Sequence, residues 1–212
     1  MGLDLTPLAR AREGYESEWH DLVTRSLGNL ELTDQELERF EEISLQPYEV
    51  VGAPQVGVDP AADDWIAGEL ADRMSREEAI EAGKGFFALH LIQSDGLPKY
   101  THAGMYEGVD ETCFRGSFLE DCVNVLSPEQ IEAAWENRMP DDAERYGREL
   151  LQAVEDIRQN GPRETRKAGL FGLGRHRAEA TIELEEQIDI VETAGRWFVF
   201  WGERGHPIHA YY

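Results

Sequence analysis

Apolar residues recur at helical spacing along most of the chain. Trp19, Leu22, Val23 and Leu27 form one stripe, which predicts a helix from about Tyr15 to Leu27, stopped by Gly28. Leu37, Phe40 and Ile43 follow Thr33-Asp34-Gln35-Glu36, a capping box in which the threonine meets the N3 amide and Glu36 reaches back. Trp65, Ile66, Leu70 and Met74 mark a further helix behind Asp63-Asp64, and Ser75-Arg76-Glu77-Glu78 restarts it before Gly83. Phe118, Leu119, Cys122, Val123 and Leu126 predict a helix capped by Ser117. Ser127-Pro128-Glu129-Gln130 and Pro140-Asp141-Asp142 open two more, the second carrying Ala143, Tyr146, Leu150, Val154 and Ile157. An acidic helix is expected over 178–194, ended by Gly195.

Strand patterns are fewer. Leu3 to Leu5 and Tyr48 to Val51 read as short strands. Phe86 to Ile92 is apolar apart from His90, as in a strand covered on both faces. Two aromatic-rich runs flank Gly202-Glu203-Arg204-Gly205, which predicts a C-terminal hairpin over 196–212. The expectation is an α+β fold, mainly helical, with several helices packed on a small, mostly antiparallel sheet containing residues 86–92 and that hairpin. A single domain over 1–212 is expected, with an irregular loop at 52–64 and a basic flexible loop at 160–177.

Charge narrows the function classes. The formal net charge is −23, with 43 acidic against 20 basic side chains. Such a surface repels a phosphate backbone, so general nucleic-acid binding is not expected. Only residues 161–177 are basic, with five cations against one acid, and their glycines lack the Lys-[Ser/Thr] of a P-loop. No run approaches the ~18 apolar residues of a membrane span, and Asp4 stands where a signal peptide carries basic residues. A cytoplasmic protein without membrane contact is expected, and 17 Arg against 3 Lys is the usage of a GC-rich, bacterial-type gene.

Candidate chemistry gathers in one stretch. The segment from Asp95 to Arg115 is a long, Gly-containing connection, the kind that is often functional in a compact domain. Asp95, Tyr100, His102, Tyr106, Cys113 and Arg115 are its candidate binding residues. Cys113 precedes a predicted helix N-terminus, where the helix dipole would favour the thiolate. A hydrolase or small-molecule site using Cys113 with a histidine is therefore one reading. His90, within an apolar run, reads as a hydrogen-bonded core residue or as a ligand. His206 and His209 are three apart, which places them on opposite faces of a strand and argues against a shared metal ion. No metal centre, cofactor or catalytic group is assigned. The charge, together with the lack of a catalytic signature, points instead to an acidic interaction protein (an inhibitor, immunity-type partner or adaptor) whose partner is a basic protein.

Overall fold

A computed structural model of the protein describes residues 2–28, 30–92, 112–162 and 182–212. In chain order its elements are strands β1 (Asp4–Pro7) and β2 (Arg10–Ala11), helices α1 (Glu16–Leu27) and α2 (Asp34–Glu42), and strand β3 (Ser44–Leu45). Helices α3 (Pro47–Val51), α4 (Pro60–Glu69) and α5 (Arg76–Gly83) follow, then two 3-10 turns, Leu89–Leu91 and Gly116–Asp121. Helices α6 (Pro128–Ala133), α7 (Pro140–Asn160) and α8 (Leu184–Glu203) precede strand β4 (Ile208–Tyr211). The fold is α+β and mainly helical, and both of its two-stranded sheets are antiparallel.

The largest core cluster lies where α7 and α8 pack antiparallel and cover the β1–β4 sheet. Tyr146, Leu150, Val154 and Ile157 of α7 meet Val191, Trp197, Phe198 and Trp201 of α8. The helices approach closely because glycines stand at the crossing. A Cβ on Gly147 would lie 2.7 Å from the Gly195 carbonyl oxygen, and one on Gly202 would lie 2.6 Å from the Glu144 nitrogen. Three helix starts follow the expected chemistry, with complete capping boxes at Thr33–Glu36, Ser75–Glu78 and Ser127–Gln130.

Four segments differ from the sequence-based expectation. Residues 196–212 are not a hairpin: Arg196–Glu203 are the last turns of α8, Gly205 turns the chain at φ 79°, and β4 pairs with β1. Gly195 does not end the helix. It lies inside α8, where its missing side chain admits Leu151 and the Gly147 backbone. Residues 86–92 do not form a sheet strand. Phe87 makes one bridge to Gln55, Gly85 turns at φ 89°, and Leu89–Leu91 coils into a 3-10 turn with Phe86 63 % exposed. No neighbouring strand is in place to extend that bridge, so the apolar run folds back onto residues 54–56 instead.

Tyr48–Val51 belongs to helix α3, which Pro47 starts at N1 and Gly52 ends in the left-handed conformation at φ 63°. The 52–64 connection is irregular only as far as Asp59, because Pro60 opens α4. Gly116–Asp121 is 3-10 rather than α-helical, and the stripe continues to Leu126 through turns.

Candidate functional site

The N-terminal strand organises the surroundings of Cys113 and Arg115. Leu5 and Phe114 exchange backbone hydrogen bonds of 2.8 and 2.9 Å, which lays residues 113–115 antiparallel along one edge of β1. β4 occupies the other edge, and Arg138 bridges Ile208 beyond it. Alternation then sorts the side chains. Leu5, Phe114, Ile208 and Ala210 turn inward and are buried, and the Trp197 indole donates to the Thr112 carbonyl at 2.8 Å beneath them.

The outer face carries two rows. Cys113, Thr6 and His209 stand side by side, and Arg115, Asp4 and Tyr211 form the next row. The Cys113 thiol lies 3.1 Å from the Thr6 hydroxyl, and Arg115 Nε faces Asp4 Oδ1 across 2.5 Å. Of the sequence-predicted residues, the structure thus brings Cys113 and Arg115 together as neighbours on one strand edge. Asp95, Tyr100, His102 and Tyr106 lie outside the described residues.

The sequence gave no reason to place His209 in the Cys113 row. That required the register of β4 on β1, a pairing between residues some two hundred positions apart. Two strand spacings of ~4.8 Å still separate His209 from Cys113, so His209 does not reach the thiol for proton transfer. Its pKa is lowered by burial. The six-residue 3-10 turn after Cys113 is a poor source of the helix dipole expected from the sequence.

Other titratable groups serve packing. His206 is fully buried, accepts or donates at Nδ1 with the Leu8 carbonyl at 2.7 Å, and stands edge-on to Trp201. Because a carbonyl only accepts, Nδ1 carries the proton and Nε2 keeps a lone pair that no described group meets. Burial, with Arg10 and Arg204 nearby, pushes its pKa down to about 4. Cys122 is likewise buried, and its thiol is pushed up to about 12, chiefly by desolvation and also by Asp121 and Glu186. Among the described residues no group of three His, Cys, Asp or Glu side chains could hold a metal ion. No helix among them is long and apolar enough to cross a membrane.

A second candidate region lies on α1 and α2. A groove of about 550 Å³ between them is lined by Glu18, Asp21, Leu22, Arg25, Thr33, Gln35, Glu36 and Arg39. Arg25 binds Glu36 at 2.6 Å and lies 3.8 Å from Asp21, while Arg39 grips Glu18 through two contacts of 2.9 Å and Glu42 at 3.1 Å. The Arg25 guanidinium and the Thr33 cap together hold the Glu36 carboxyl down at about 2. Sequence reading treated these residues as two ordinary solvated helix faces, because the groove depends on how the helices are set beside each other.

Compared with protein-family models, curated proteins and solved structures, the chain matches none.

Proposed function

We propose that this is a non-enzymatic, cytoplasmic interaction protein that binds a basic partner protein through its acidic surface, as an inhibitor, immunity-type partner or adaptor does. The observation that supports this reading is how the cations are used. Arg12, Arg25, Arg39, Arg76, Lys84, Arg145, Arg148, Arg158 and Arg196 all sit in ion pairs within the chain. Arg115 and Arg138 are similarly placed against Asp4 and Glu136. Arg10 and Arg204 bond to backbone carbonyls.

The acids exceed these cations. Glu13, Glu31, Asp34, Glu38 and Glu41 are exposed and have no cationic partner among the described residues. An approaching basic surface therefore meets carboxylates in excess and few competing cations, an arrangement that speeds encounter and penalises acidic competitors. Exposed pairs contribute little to folding, so the charge excess is more readily understood as serving a partner than as serving stability.

The test is affinity capture from native lysate at ~50 mM salt, identification of the retained protein, and reconstitution from purified components. One basic protein binding stoichiometrically and released by ~500 mM salt is the expected result. Failure to form any purified complex at low salt would sink the proposal.

A further inference from the structure

Three features coincide on the α1–α2 unit. The first is α2 itself, which has no buried residue and leaves Leu37 48 % exposed. The second is the groove between the helices, where Leu22 is the apolar lining residue and Glu18, Asp21 and Glu36 supply carboxylates. The third is local charge: residues 13–42 carry ten carboxylates against Arg25 and Arg39 alone. Both arginines are engaged by Glu36 and Glu18, so neither is available to an anionic ligand without breaking a close ion pair.

An apolar lining residue among carboxylates suits a side chain that is apolar along its stem and cationic at its tip, as lysine and arginine are. From Glu18 to Arg25 the α1 wall runs about 10 Å at the helical rise, room for a few such side chains rather than for a folded surface. Exposed Leu37 and Leu30 supply apolar area beside it on the same unit. We propose that the α1–α2 groove is the docking site for a Lys/Arg-rich amphipathic segment of a basic partner protein. The proposal rests on the interaction reading above and assigns it a place and a partner chemistry.

The probe is a fluorescein-labelled amphipathic Lys/Leu peptide, followed by anisotropy at low salt, with a Glu/Leu peptide as its control. Asp21→Asn combined with Gln35→Lys changes the groove by two charges while leaving the Arg25–Glu36 and Arg39–Glu18 pairs in place. Glu69→Gln combined with Glu77→Gln makes the same net change on α4 and α5. The groove pair is expected to weaken the Lys/Leu peptide about tenfold and the α4–α5 pair less than about twofold, with melting temperatures unchanged in both. Equal loss in the two variants, or a larger loss in the α4–α5 variant, overturns the groove and leaves general acidic capture standing. No binding of the Lys/Leu peptide by the wild type also overturns the groove, and the purified-partner experiment decides the broader reading independently.

Discussion

Gly147 and Gly195 face each other across the α7–α8 crossing so closely that a Cβ on Gly147 would lie 2.7 Å from the Gly195 carbonyl oxygen. The approach is backbone against backbone, and no side-chain rotation can relieve it. Gly195→Ala is expected to cost about 2 kcal/mol or more in urea unfolding, because overpacking outweighs the gain in helix propensity. Gly68→Ala is expected to act with the opposite sign. Gly68 lies within α4, exposed, with nothing within 4 Å of an added Cβ, and the change should stabilise by up to about 1 kcal/mol.

Acid should destabilise the fold through His206. Its folded pKa of about 4 lies below the ordinary 6.5, so the native state binds fewer protons than the unfolded chain between those values. Stability is fully present above pH 6.5 and falls as pH drops towards 4, by roughly 3 kcal/mol at the lower end. Urea unfolding across that window checks this. His206→Gln, which keeps a donor for the Leu8 carbonyl and cannot titrate, should flatten the profile.

Cys122 should resist alkylation in the native protein. It is fully buried and its thiolate is strongly disfavoured at neutral pH. In Cys113→Ser, which leaves it as the sole cysteine, labelling by iodoacetamide is expected to track global unfolding in urea. Rapid native labelling would contradict the packing described for it.

Thr33 caps α2, accepting from the Glu36 amide at 3.3 Å and closing the box with the Glu36 carboxylate. Since α2 buries no residue, its cap carries an unusual share of its stability. Thr33→Ala is expected to cost about 1 kcal/mol and to raise amide exchange in α2 ahead of α7.

How much of this was legible beforehand depended on whether a signal was local. The capping boxes at Thr33, Ser75 and Ser127, and the α7 stripe from Ala143 to Ile157, need only a few adjacent residues and were found where the sequence placed them. The run from Trp197 to Trp201 misled because α8 is buried on nearly every side there. An all-round apolar helix has no polar face to reveal its period, and its aromatic and β-branched composition imitates a strand. Gly195 was read as a stop for the same reason: only the presence of α7 shows that it is a point of approach. The Cys113–Thr6–His209 row and the α1–α2 groove arise from tertiary placement, and no spacing within a short window encodes either.

The pairing of β1 with β4 also constrains the order of assembly. Asp4 meets Tyr211, and Pro7 meets Ile208, so the main sheet closes a loop of about two hundred residues. During synthesis, β1 leaves the ribosome first and waits with its β4-facing edge unpaired until residue 211 has emerged. Helices α1 to α7 can form meanwhile, but the floor beneath α8 cannot be completed. Folding of this protein is therefore gated by release of its last-made strand, and a stalled nascent chain lacking β4 would present an open β edge to whatever lies nearby.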